Sequence, residues 1–271
     1  VMLVDGRPAG SVPLTDRGLN YGDGLFETLR LHRGAAPLLD RHLARLQAGC
    51  ERLGLGWPGR ALLEPEALAV AAAAPGEAVL KIVLTRGDGG RGYAPGPVAP
   101  ARRIISAHPL PPGLGTPLEV GVCRTRLGSS PALQGLKHLG RLEQVLAASE
   151  TAAAGWDEGL MLDAAGRVIE GTRHHVFFLR GDRLFTPPLA GLAVAGIMRA
   201  MLLEALPALG LDGGEAELRY DALHEVDAMY LGNAVAGVRA VSRLDGRPLP
   251  EPGLLDRLHR ALSSLGVTWL A

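Results

Sequence analysis

Lysine is nearly missing from this 271-residue chain: of 28 basic side chains only Lys81 and Lys137 are lysines, and the other 26 are arginine. Wherever a generic surface cation serves, the chain uses arginine, so each lysine needs a reason of its own. Of the two residue types, only lysine can shed its proton near neutral pH when desolvated and act as an amine nucleophile. Cysteine is equally scarce. Cys50 and Cys123 stand alone, with no second cysteine or close histidine at ligand spacing, which argues against a disulfide framework and a zinc site. Charge of one sign is not in excess, because 28 acidic residues balance the 28 basic ones. That leaves no footprint for counterion release on nucleic acid. Long apolar runs are also missing: Ala67 to Ala74 is the longest, against the roughly 20 residues a membrane helix needs. The start, Val1-Met2-Leu3-Val4-Asp5, has neither a basic n-region nor an apolar h-region. These absences point to a cytoplasmic protein with no nucleic-acid and no membrane partner.

What is plentiful is core material. With 47% hydrophobic and 21% charged residues, the chain is neither disordered nor a coiled coil, and its length suits two domains. The segment Leu25 to His32 alternates before Arg33-Gly34, as a hairpin strand does. Leu39, Leu43, Leu46, Cys50 and Leu53 recur at helical spacing, with Asp40 as the expected N-cap and Gly54 as the stop. Cys50 then lies on the apolar face, in the core. A helix over 64–74, ended by Pro75-Gly76, and strands over 78–86 and 102–107 follow. Pro109-Leu110-Pro111-Pro112-Gly113 reads as a linker, dividing a smaller domain at 1–108 from a larger one at 118–271. The second half shows strands over 118–126, 158–162, 167–170, 176–179, 184–186, 215–219, 228–231 and 238–243. Helices are expected over 141–154, 196–206 and 254–265. The class is α+β, with helices on mixed sheets.

Five places suggest chemistry. Gly87-Asp88-Gly89-Gly90-Arg91-Gly92 matches G-x-G-x-x-G after a strand, but Tyr93-Ala94-Pro95-Gly96-Pro97 forbids the helix a dinucleotide site requires. A functional loop, with Arg91 and Tyr93 bonding an anionic group, and a plain surface loop both remain open. Gly196-Ile197-Met198 opens a helix whose bare N–H groups suit a phosphate, against the reading of an uncapped surface helix. Gly232-Asn233-Ala234 has a similar small-residue character at a strand end. Lys137 precedes a helix, and Glu170 ends a strand; solvated lysine and surface glutamate are the ordinary readings. His174-His175 would point to opposite faces of a strand, and His224-Glu225 lacks the second histidine of H-E-x-x-H, so no metal is expected.

The segments Asp16 to Thr28, His42-Leu43-Ala44-Arg45-Leu46, Thr85 to Tyr93, Lys137 to Leu146, Ile169-Glu170-Gly171-Thr172, Gly196-Ile197-Met198-Arg199 and Gly232-Asn233-Ala234, in this order, resemble the fold-type IV pyridoxal-phosphate enzymes. That family holds the branched-chain and D-amino-acid transaminases and the 4-amino-4-deoxychorismate lyases. The sequence after Lys137, the Gly-Arg-Gly-Tyr loop and Gly196-Ile197-Met198-Arg199 look most like the lyases. Two positions depart from the lyase pattern: Gly140 stands where asparagine is usual, and Thr172-Arg173-His174-His175 where small residues and asparagine are usual.

The resemblance implies a two-domain fold like that of D-amino-acid aminotransferase, with the cofactor, pyridoxal 5'-phosphate, bound between the domains. Lys137 would hold it covalently and later serve as the base. Glu170 would pair with the pyridine nitrogen, while Arg45, Gly196, Ile197, Met198 and Asn233 would hold the phosphate. Lys81, Arg91 and Tyr93 would meet the two carboxylates of 4-amino-4-deoxychorismate, with Tyr21 and Phe26 as pocket wall. The products would be 4-aminobenzoate and pyruvate, in folate biosynthesis, and the enzyme a homodimer. A transaminase on the same scaffold and a non-catalytic binding protein are the alternatives.

Overall fold

The computed structural model describes residues 2–89, 92–189 and 193–270. They form two compact units: Val1–Pro111 with Leu136–Gly140, and Pro112–Gly135 with Arg141–Ala271. The short stretch around Lys137 therefore groups with the N-terminal residues, although a linear division at the proline-rich segment assigns it to the C-terminal part.

In the first unit, β1 (Met2–Val4) and β2 (Arg7–Pro8) turn about Asp5-Gly6. A short helix that the sequence reading missed, α1 (Arg17–Tyr21), follows. The Asp16 carboxylate accepts the Gly18 and Leu19 N–H groups at its start, and Gly22 closes it with a left-handed φ of 66°. Strand β3 (Gly24–Leu31) alternates, burying Leu25, Glu27, Leu29 and Leu31 while Phe26, Thr28 and Arg30 stay half-buried on the other face. Helix α2 (Leu39–Leu53) lays Leu39, Leu43, Leu46 and Cys50 into the same core, each leucine contributing about 1.5–3 kcal/mol by its burial. Asp40 does not cap it: Leu38 holds that position, and Asp40 sits in the first turn, paired with Arg60. Helix α3 (Arg60–Ala72) starts four residues before the expected Glu64 and contains Pro65. The missing proline N–H forgoes one helical bond, and burial of Leu63, Ala67, Val70 and Ala71 outweighs it. Strands β4 (Ala78–Thr85) and β5 (Arg102–His108) complete an antiparallel sheet of order β2-β1-β5-β4-β3. Strand β3 is thus at its edge.

In the second unit the elements are β6 (Leu118–Leu127), α4 (Leu142–Ala154), β7 (Glu158–Asp163), β8 (Val168–Gly171), β9 (His175–Arg180), β10 (Arg183–Thr186) and α5 (Ile197–Ala205). They continue with β11 (Asp212–Glu215), β12 (Ala228–Asn233), β13 (Gly237–Leu244), β14 (Arg247–Pro248) and α6 (Leu255–Ser264). Their sheet runs β11-β10-β9-β12-β13-β6-β7-β8, with β14 beside β13. It is mixed, since β13 with β6, β6 with β7 and β10 with β11 are parallel and the other pairs antiparallel. The strand expected at 215–219 lies instead at Asp212–Glu215 and pairs with β10. Among the described residues no helix is long and apolar enough to cross a membrane.

Candidate functional site

The stretch Leu136–Gly140 reaches its position through the open edge of β3. Phe26 N–H donates to the Lys137 carbonyl at 2.9 Å and Leu139 N–H to the Gly24 carbonyl at 3.0 Å. Edge strands offer such unpaired groups, and these bonds fix Lys137 against Phe26. Its Nζ stands 4.3 Å from the centre of the Phe26 ring, and Lys81 Nζ stands 5.8 Å from the same ring. The only two lysines of the chain therefore both approach one aromatic ring, whose quadrupole attracts an ammonium. Lys81 is exposed and Lys137 half-buried.

Beneath this face is a buried ionic cluster that the sequence reading passed over. Glu27, 1% exposed, accepts from Arg45 Nε at 2.8 Å and Nη2 at 2.5 Å, and its Oε2 lies 2.6 Å from His42 Nδ1. Burial pushes the Glu27 carboxyl up, but Arg45 and His42 outweigh it and hold the group at about 2. Burial drives the His42 ring below its ordinary value despite Glu27, and the charges of Arg45 and Lys137 act in the same direction. His42 is thus neutral and donates from Nδ1. The signal was present: Glu27 interrupts the apolar alternation of β3, and His42 falls among the core leucines of α2. Arg45 is consequently held in place by its own carboxylate partner, with its side chain 16% exposed.

Tyr21 and Tyr93 also come together, edge to face at 5.6 Å. Arg17 connects them: it lies 4.8 Å from the Tyr21 ring centre and donates to the Gly92 carbonyl at 3.0 Å and the Tyr93 carbonyl at 2.7 Å. Asp23 joins Arg17 at 2.9 Å and Arg86 at 2.8 Å. Burial disfavours the Asp23 charge, yet the two arginines hold its carboxyl below the ordinary value. Gly90 and Arg91 lie outside the described residues.

In the second unit, Glu170 is buried near the end of β8, and its Oε2 accepts the Val194 N–H at 3.2 Å. Gly135, two positions before Lys137, donates to Ala193 and accepts from Ala195. Next along the chain comes Gly196, before α5. Among the described residues no side chain caps this helix, and its first turn has no acidic residue, so the dipole at the Ile197 and Met198 N–H groups favours an anion. A Cβ on Gly196 would lie 1.9 Å from His175 Nε2, so only glycine lets the ring and the helix start approach this closely. Gly232 pairs with His175 across β9 and β12. The Asn233 side-chain oxygen, Oδ1, accepts the Val235 and Ala236 N–H groups, and its side-chain amide nitrogen donates to the Arg173 carbonyl at 3.2 Å. Its side chain shapes a turn, and a second amide proton is what it can offer a ligand. Bare helix N–H groups, a glycine with no room for a side chain and a buried carboxylate suit a phosphorylated heteroaromatic cation. His174 and His175 turn to different partners, Glu158 and Gly196. Among the described residues no group of three or more His, Cys, Asp or Glu side chains could hold a metal. Cys50 and Cys123 are free and buried, and burial pushes the Cys50 thiol up to about 12.

Comparison with known proteins gives a match of residues 24–244 to the family model Amino-transferase class IV. An aminodeoxychorismate lyase from Vibrio harveyi is 35% identical over 245 residues, 88% of this chain and 89% of that protein. The crystal structure of a 4-amino-4-deoxychorismate lyase from Pseudomonas aeruginosa superposes with a TM-score of 0.90 at 43% identity, covering 97% of this chain and 98% of that one. A branched-chain-amino-acid aminotransferase from Escherichia coli is 27% identical over 250 residues, 87% of this chain and 80% of its own.

Proposed function

Because this chain belongs to the amino-transferase class IV family, whose members work with pyridoxal phosphate, we propose that it splits 4-amino-4-deoxychorismate into 4-aminobenzoate and pyruvate, a step of folate biosynthesis. The observation that carries the reading is the 43% identity over nearly the whole length to the Pseudomonas aeruginosa lyase. The arrangement of side chains supports it. Bound pyridoxal phosphate supplies an electron sink for the carbon that carries the substrate amine. Lys137 would provide the amine that anchors the cofactor and, as a free amine, would take the proton from that carbon. Glu170 would pair with the ring nitrogen and keep it protonated. Arg45, the Ile197 and Met198 N–H groups at Gly196 and the Asn233 amide bind the phosphate. Lys81, Arg91 and Tyr93 receive the two carboxylates, with Tyr21 and Phe26 as apolar wall. The enolpyruvyl ether departs as pyruvate, and aromatisation of the ring supplies driving force that no side chain has to provide.

We read the working form as a cytoplasmic homodimer. Leu142, Val145 and Leu146 stand 71%, 57% and 52% exposed on one face of α4, an apolar row of the kind subunit contacts cover. The test is fluorescence of 4-aminobenzoate released from 4-amino-4-deoxychorismate by the cofactor-loaded protein, with Lys137→Ala as control. Product that vanishes in the control supports the lyase. A yellow protein that releases none, but exchanges amino groups between amino and keto acids, would replace it with the transaminase reading.

A further inference from the structure

His174 is one of the residues that depart from the family pattern, and its surroundings give it work. Its Nδ1 donates to Oε2 of Glu158, the fully buried first residue of β7. The other oxygen of that carboxylate accepts the Thr172 N–H at 2.9 Å and the Thr172 hydroxyl. Arg173 Nε lies 3.4 Å from Oε2. One carboxylate thus binds three consecutive residues, and these three follow directly on Glu170-Gly171. Gly171 is closed over the same group: its N–H donates to the His174 carbonyl at 2.7 Å, and a Cβ on it would stand 3.2 Å from Glu158 Cγ. The other end of the turn reaches Asn233, whose amide donates to the Arg173 carbonyl.

We propose that Glu158 and His174 are a buried positioning pair that sets the turn after Glu170, and through it the aim of both the Glu170 carboxylate and the Asn233 amide. The inference rests on the cofactor reading above, in which Glu170 meets the ring nitrogen and Asn233 the phosphate. A buried carboxylate is retained only with its donors in place. Removing the imidazole leaves Glu158 short of a donor, and the three residues it organises relax. Neither member of the pair is among the residues assigned to the cofactor above, so their effect passes through the two groups that are.

Three variants test this in the cofactor-loaded full chain. His174→Leu removes the donor; His174→Asn puts an amide nitrogen near the place of Nδ1; Thr172→Val removes only the hydroxyl. Asp163→Asn, at the far end of the β7–β8 hairpin where Asp163 holds Arg167, calibrates mere loss of stability. The readouts are the visible circular dichroism of bound pyridoxal phosphate, its dissociation constant, and kcat and KM separately. His174→Leu should alter the dichroic band, weaken cofactor binding about tenfold and lower kcat about tenfold, with KM within twofold. Thr172→Val should act in the same direction more weakly, and His174→Asn should restore most of the loss. Asp163→Asn should lower the melting temperature and leave the band unchanged. A wild-type protein that takes up no pyridoxal phosphate would overturn the cofactor reading and this proposal with it. A wild-type protein with a normal band, beside His174→Leu and Thr172→Val that melt earlier yet keep band, affinity and kcat, would overturn the proposal alone.

Discussion

Glu27→Gln tests how the buried cluster beneath Phe26 is held together. The carboxyl titrates at about 2 in the folded chain against 4.5 for a free glutamate. At about 1.4 kcal/mol per pH unit, the ionised group contributes about 3 kcal/mol of stability at neutral pH. Removing one partner of a buried ion pair costs about 3–5 kcal/mol, so two independent routes agree. The sign follows from the direction of the shift. A depressed carboxyl stabilises fully above pH 4.5 and loses its contribution as pH falls from there towards 2. Urea unfolding of cofactor-free protein, followed by far-ultraviolet dichroism at pH 7 and in steps from pH 5 to 2, measures both effects. The variant should lie about 3 kcal/mol below wild type at pH 7, and the two should converge at the acid end. A gap under about 1 kcal/mol at pH 7, or one as wide at pH 2.5 as at pH 7, would refute the reasoning. Because Glu27 also fixes Arg45, cofactor affinity should fall in the same variant.

Other substitutions separate roles within the site. Glu170→Gln should lower kcat about 100-fold while cofactor affinity changes little, since an amide cannot keep the ring nitrogen protonated; steady-state rates beside equilibrium dialysis check this. Lys81→Met should raise KM for the dicarboxylate about tenfold with kcat nearly unchanged, the loss of one charge-assisted contact. Gly196→Ala should weaken cofactor binding and cost about 1–3 kcal/mol of stability through the clash with His175. Its backbone, at φ −70° and ψ 136°, admits alanine, so any loss in titration and melting experiments is steric.

Much of the frame can be read from residue spacing. The leucine repeat of α2 and the alternation of β3 lie where the pattern places them, because each element has one apolar face to bury. Lys137 and the helix start at Gly196 stood out through composition and local chemistry alone. The Glu27, His42 and Arg45 cluster did not. A charged residue in an apolar pattern looks like an error in the pattern until its partner, 15 or 18 positions away, is known. The Glu158 and His174 pair was hidden in the same way, by a separation of 16 residues. Strand β11 escaped because Gly213-Gly214 has no side chains to alternate, whereas the charged and apolar residues after it imitate a strand. Aspartate favours the cap position, so the sequence places Asp40 there; in the fold the helix starts at Leu39, and Asp40 lies inside its first turn, paired with Arg60.

The central claim is that, of two lysines, Lys137 alone carries the cofactor. Borohydride reduction of the yellow protein, followed by peptide mass mapping, reads this directly, since the chain has no lysine besides Lys81 and Lys137. A phosphopyridoxyl mass on the peptide containing Lys137, with the Lys81 peptide unmodified, is the predicted result. The label on Lys81, or on neither lysine, would contradict it.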